Sequence, residues 1–161
     1  NKYGYKIVNR NEEIYFKDVN NVLGKFVGTW KGIYGDKKYE FRIVKNTTTY
    51  KTMKYDRLLL RYIITNLSGG IIESTTSLSD LSTYVMKGNY YIKNGYQLSY
   101  IASAGNCSQR GVMTFYIDST NLQKMDAVLS VGGGLIDATE CPTMVNQFFP
   151  VSPILFSFTK Q

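Results

Sequence analysis

Residues 25–45 read KFVGTWKGIYGDKKYEFRIVK, and this stretch decides the fold class. From Thr29 to Tyr34 the residues Trp30, Gly32 and Tyr34 share one parity; from Tyr39 to Val44 the residues Tyr39, Phe41 and Ile43 share one, while Lys31, Glu40, Arg42 and Lys45 fall mostly on the opposite side. A period of two with one apolar side is the pattern of a half-buried strand. Gly35 and Asp36 separate the two runs and leave no room for a helix, so the pair is predicted to form a β-hairpin. Gly28 permits a close backbone approach where the chain enters the sheet. Trp30, the single tryptophan of the chain, takes the first inward position and is expected to plug one end of a core.

Composition agrees with an extended architecture. The 161 residues fit one domain over 1–161, with 1–22 as an N-terminal arm or edge strand. Fourteen Tyr and eight Phe against three Pro favour strands. Nineteen basic against twelve acidic residues give a formal charge of +7, which would attract a polyanion through a salt-dependent field. The basic residues are scattered, however, with Lys37 and Lys38 the only adjacent pair, so the expectation is a solvated basic surface and no specific nucleic-acid site.

Several chemistries are excluded by what the chain lacks. There is no His, which removes the usual general base and the commonest metal ligand together, and with them Ser/His/Asp and Cys/His nucleophilic systems. Two Cys cannot build a structural zinc site alone. The triplet Gly132–Gly134 is followed by Leu135, Ile136 and Asp137 with no helical pattern and no Lys-Ser/Thr pair, so it reads as a turn and not as a phosphate loop. Scattered acids such as Glu40, Asp56, Asp80, Asp118 and Asp126 define no catalytic pair. No catalytic residue, cofactor or metal is expected, and the chain reads as a non-enzyme.

Further along, Tyr3–Val8 and Ile14–Val19 look like short extended pieces, and Asn20 and Asn21 are placed to cap a single turn before the hairpin. Thr47–Thr49 reads as a polar connection, with a short strand over Tyr50–Tyr55. Arg57–Thr65, RLLLRYIIT, is predicted as a strand with Leu58, Leu60, Tyr62 and Ile64 on one face and both arginines turned to solvent. Ile71–Thr83, rich in Ser and Thr, reads as a loop with one helical turn at Ser79 or Asp80. A meander then follows: Tyr84–Lys87, Tyr90–Lys93, Tyr96–Ala102, Val112–Asp118, Lys124–Val131 and, after a poorly patterned stretch from Leu135 to Pro153, Ile154–Lys160. Asn94-Gly95 is the strongest short hairpin signal. About eight to ten antiparallel strands at short spacing predict an all-β, up-and-down barrel, with a sandwich as the alternative.

Cys107 and Cys141 lie 34 positions apart in loop-like segments. In an exported protein they are expected to bridge, a loop of that size contributing about 3–4 kcal/mol; in a reducing compartment they would be two thiols. The chain opens at Asn1, which a removed export signal or an artificial trim would equally explain.

The octamer KFVGTWKG, Lys25–Gly32, resembles the opening of the calycin superfamily, in which lipocalins and fatty-acid-binding proteins carry Gly-x-Trp at the start of the first barrel strand after a short helical turn. The resemblance implies a lipocalin-like barrel with Trp30 as end plug and Lys160, on the last strand, as its cationic partner. The longer pattern DVNNVLGKFVGTWKG, with RGVMTFYID and the closing FTKQ, is similar to small exported proteins of Bacteroidetes bacteria that carry a domain of unknown function, which implies a secreted or cell-envelope location and assigns no activity. Two departures count against a fatty-acid carrier. The first hairpin leaves no room for that family's helix pair, and the Arg-x-Tyr clamp late in its chain is replaced by Phe156-Ser157-Phe158-Thr159.

The leading expectation is a noncatalytic, monomeric barrel that binds a small apolar or amphiphilic ligand, lined by Tyr39, Phe41, Leu60, Tyr62, Phe115 and Phe156. These large side chains would either line a pocket or fill it. The alternative is a filled barrel acting as a surface module for glycans or another anionic surface.

Overall fold

The computed structural model describes residues 13–103, 109–132 and 147–161. Ten strands follow in chain order: β1 (Ile14–Phe16), β2 (Gly28–Tyr34), β3 (Lys37–Tyr50), β4 (Met53–Asn66), β5 (Ile71–Ser74), β6 (Met86–Ile92), β7 (Gly95–Ile101), β8 (Arg110–Ile117), β9 (Lys124–Val131) and β10 (Phe156–Lys160). The only helical element among the described residues is a 3-10 turn at Gly24–Phe26. Each strand of the meander pairs antiparallel with its chain neighbour. β10 returns to β2 through Thr159↔Lys31 and Lys160↔Trp30, and β4 meets β6 through Leu59↔Lys87 and Leu60↔Met86. The sheet therefore closes into an eight-stranded up-and-down barrel, the architecture that leaves no long free edge in its wall. β1 and β5 lie outside that ring, where they share the second edge of β4 with β6, β1 running parallel to it and β5 antiparallel.

The inward parity is the one the sequence indicates. Trp30, Tyr39, Phe41, Ile43, Leu58, Leu60, Tyr62, Ile64, Phe115, Phe156 and Phe158 all belong to one buried cluster. Trp30, Phe41 and Phe115 are wholly buried. Gly32 has no side chain because β10 passes too close, the Ser157 carbonyl oxygen standing where a Cβ would be. Gly95 is similarly confined, a Cβ there meeting the Phe115 carbonyl oxygen at 2.5 Å.

Several local readings differ from the structure. Thr47–Thr49 is not a connection: β3 runs on to Tyr50 and pairs with β4 down to Tyr50↔Met53, because β-branched threonines suit a strand that has left the barrel end and needs no apolar side. The separate strand over Tyr50–Tyr55 is thereby replaced by a two-residue turn at Lys51 and Thr52, Lys51 having φ 55°. Gly88-Asn89 is no turn either; β6 runs through it, with Asn89 bulged out between Gly88↔Leu98 and Tyr90↔Gln97. Ile71–Thr83 opens with β5 and continues in hydrogen-bonded turns, Leu78 to Thr75 and Ser82 to Ser79, without a helix. Arg61, expected in solvent, is half-buried and holds this loop, donating from Nε to the Leu78 carbonyl at 2.9 Å and pairing with Asp80.

The Asn94-Gly95 hairpin forms one residue earlier than the dipeptide implies: Ile92 pairs with Gly95, leaving Lys93 and Asn94 in the loop, with Asn94 at φ 63°. Tyr3–Val8, Gly133 and Gly134, and both Cys107 and Cys141, lie outside the described residues.

Candidate functional site

The two ends of the barrel are stopped in different ways. At one end the 3-10 turn carries Leu23 and Phe26 under the strands, and the Trp30 indole N–H donates to the Phe26 carbonyl at 2.8 Å, so its one polar atom is satisfied inside the core. Lys160 closes the seam from above: its ammonium lies 5.2 Å from the Trp30 ring centroid and donates to the Lys25 carbonyl. Gly28 sits at φ 134° beneath the Lys160 stem, which would be 2.8 Å from any Cβ there. The Gly-x-Trp pattern thus has a direct physical cause: glycine admits both the backbone angle and the lysine, and the lysine covers the tryptophan.

At the other end the stopper comes from outside the wall. Phe148 and Phe149 precede β10 in a connector, yet both are buried in the barrel cluster. Phe149 places its ring 5.0 Å from Tyr62, 5.4 Å from Tyr100, 5.7 Å from Tyr39, 5.9 Å from Phe41 and 6.3 Å from Phe156. Tyr62 and Tyr100 meet it edge-on, at 78° and 87°. The Tyr39 hydroxyl donates to the Phe148 carbonyl at 3.0 Å and anchors the connector to the wall.

Of the expected lining residues, Tyr39, Phe41, Tyr62 and Phe156 therefore all surround Phe149. Phe115 sits deeper, 5.8 Å from Phe41, and Leu60 is buried on β4 one inward step below Tyr62. The sequence reading missed Phe148, Phe149 and Tyr100. Tyr100 was within reach, since it shares the inward parity of Tyr96 and Leu98 on a strand already recognised. The Phe148-Phe149 pair was signalled only by two adjacent rings in an otherwise unpatterned stretch.

The polar atoms of this end are not all satisfied. The hydroxyls of Tyr62 and Tyr100 are buried and have no hydrogen-bond partner among the described residues. Burial, with the nearby Glu73 carboxylate adding to it, pushes both phenols well above the ordinary tyrosine range, so both remain protonated donors. Burial likewise raises Tyr39 to about 12. Glu73 itself accepts from the Ser103 hydroxyl at 3.2 Å.

The basic surface is largely tied up locally. Lys37 pairs with Asp36, Lys38 donates to the Leu67 carbonyl, and Lys31 and Arg42 share Glu40. Among the described residues no group of three or more His, Cys, Asp or Glu side chains is placed to hold a metal ion. No protein-family model, no curated protein and no solved structure matches this chain.

Proposed function

We propose that this protein is a noncatalytic, exported, lipocalin-like carrier whose barrel takes a small neutral ligand with an apolar or aromatic body, seated where Phe149 now stands. The observation that carries this reading is the pair of buried hydroxyls on Tyr62 and Tyr100, which flank Phe149 and have no partner among the described residues. Leaving a buried polar group unpaired costs about 1–3 kcal/mol, and such groups in a folded protein ask for an explanation. Phe149 supplies apolar contact to the wall but no acceptor, so it fills the site without completing it. A ligand with a ring or short chain and a carbonyl, amide or ester oxygen would do both. An anionic head group is disfavoured, because Glu73 already lies close enough to raise both phenols. The calycin-like opening and the Lys160 cover over Trp30 support the same family of folds, and the resemblance to exported Bacteroidetes proteins supports the location.

Native mass spectrometry of the protein purified from its producing cells, at low collision energy, tests the reading. A mass exceeding that of the chain by one discrete neutral molecule is the expected result. The bare chain mass from every preparation, including after incubation with an extract of the growth medium, would count against a carrier.

A further inference from the structure

The closed end of the barrel carries a second concave surface, away from Phe149. Residues of the arm leading into β2 and of β6 line an open cleft of about 560 Å³, within the size range of small-molecule sites. Tyr15, Phe16, Tyr90 and Tyr91 all line it, with Lys17, Asn20 and Asn89 among its polar groups. All four aromatic side chains are substantially solvent-exposed, Tyr90 the most at 60%. Solvent-exposed rings gathered in a concavity are the unusual feature, since isolated exposed rings are common on any surface.

The cleft is held in shape by groups that take no further part in its surface chemistry. Asp56 accepts from the Tyr15 hydroxyl at 2.9 Å, from the Thr47 hydroxyl at 2.7 Å and from the Asp18 N–H at 3.0 Å. Asp18 in turn accepts from the N–H groups of Val22 and Leu23 and from the Lys45 ammonium. Every oxygen of the two carboxylates is thus engaged, and Lys45 offsets their charge. Across the cleft the Tyr91 hydroxyl accepts from Lys25 at 2.9 Å, which fixes that ring. Asn89 exchanges hydrogen bonds with Ser99 at 2.8 and 3.0 Å and keeps a second amide hydrogen to offer. The bulge at Asn89 is what brings this amide and the two following tyrosines to the cleft.

Exposed ring faces match the apolar C–H faces of a sugar ring, and amide and phenol groups beside them match its hydroxyls. With the carboxylates spoken for, the cleft offers neither a concentrated positive charge for a sulfated chain nor spare acids for a cation. We propose that this cleft binds a neutral oligosaccharide, stacked on Tyr90 and bounded by Tyr15.

The test is an amide NMR titration of the whole protein with maltotetraose, cellotetraose, mannotetraose and chitotetraose, and with a heparin oligosaccharide for comparison. One or more neutral sugars should shift the amides of residues 15–20 and 89–91 and leave those around Phe149 unmoved. Tyr90→Ala should weaken that binding about tenfold, while Tyr90→Phe, which keeps the ring, should bind within about twofold of the parent. An unchanged melting temperature in both variants shows that the fold is intact. No shift with any neutral sugar at millimolar concentration, shifts that persist unchanged in Tyr90→Ala, or binding of heparin alone would each overturn the proposal. The interior reading stands or falls separately, because its residues lie at the opposite end of the barrel.

Discussion

Phe149 is a side chain from a connector that touches the rings of three strands and the start of a fourth. Its removal by Phe149→Ala should destabilise the protein by about 3–5 kcal/mol, the range for deleting a fully packed ring, measured by urea unfolding with an unchanged denaturant slope. A loss below about 1 kcal/mol would show that the ring is not packed as described. The buried phenols make a second prediction at this scale. Tyr39 is raised to about 12 from an ordinary 10.0, and Tyr62, Tyr96 and Tyr100 are raised as well. A phenol whose folded value is raised contributes its full stability below pH 10 and loses it as the pH climbs towards the folded value. Phenolate absorbance should therefore include a step that appears only as the barrel unfolds at high pH, contributed by the four buried tyrosines. A single smooth titration of all tyrosines near pH 10 would contradict this burial.

At the scale of elements, the hairpins depend on glycines for two separable reasons. Gly35 sits at φ 59° in open space, so Gly35→Ala should cost about 1–2 kcal/mol through backbone conformation alone. Gly32 has no such angle but faces the Ser157 carbonyl, so Gly32→Ala should cost about 1–3 kcal/mol by forcing β2 and β10 apart at the barrel seam. Amide exchange separates the two: only Gly32→Ala should speed exchange at the Thr159↔Lys31 and Lys160↔Trp30 pairing. The arm has its own control. Burial pushes the Asp56 carboxyl up, but the hydrogen bonds from Thr47, Asp18 and Tyr15, together with Lys45, outweigh it and hold the carboxyl below its ordinary 3.8. Its contribution is therefore intact above that value and is lost as pH falls through the lower folded value. Acidification below about pH 4 should release β1 and the residues up to Leu23 before the barrel melts, seen as early loss of amide protection at Asp18. Simultaneous loss in arm and barrel would contradict an arm held mainly by Asp56.

These elements also show what the amino-acid sequence made legible. The β2–β3 hairpin and β7 to β9 were readable because each alternates and is bounded by turn residues, and the strand around Leu58–Ile64 because it is apolar over most of its length, rich in β-formers and ended by Gly69 and Gly70. The lower half of β3 was not, since Thr47–Thr49 present no apolar side; a strand over Tyr50–Tyr55 was readable, but its true start at Met53, beyond a turn at Lys51 and Thr52, was not. The Asn89 bulge was hidden because Gly-Asn is turn chemistry locally, and pairing with β7 overrides it. The wall residues around Phe149, Tyr100 excepted, followed from inward parity. The stopper did not, because a connector that dips into a barrel has no period.

For the molecule as a whole, closure of the sheet fixes one end under Trp30 and Lys160 and leaves the other to a side chain that the wall does not own. Tyr62 and Tyr100 then hold two donors against a hydrocarbon ring. The direct test is to titrate the intact protein with acetophenone and with ethylbenzene, two molecules of nearly the same shape of which only the first has a carbonyl oxygen. Isotope-labelled phenylalanine reports the environment of the Phe149 ring by NMR. Acetophenone is expected to bind at least about tenfold more tightly than ethylbenzene, worth about 1.4 kcal/mol, to move the Phe149 ring signals, and to lose that preference in the Tyr62→Phe, Tyr100→Phe double variant. Equal affinity for the two molecules, or a Phe149 ring unmoved by saturating acetophenone, would contradict the account.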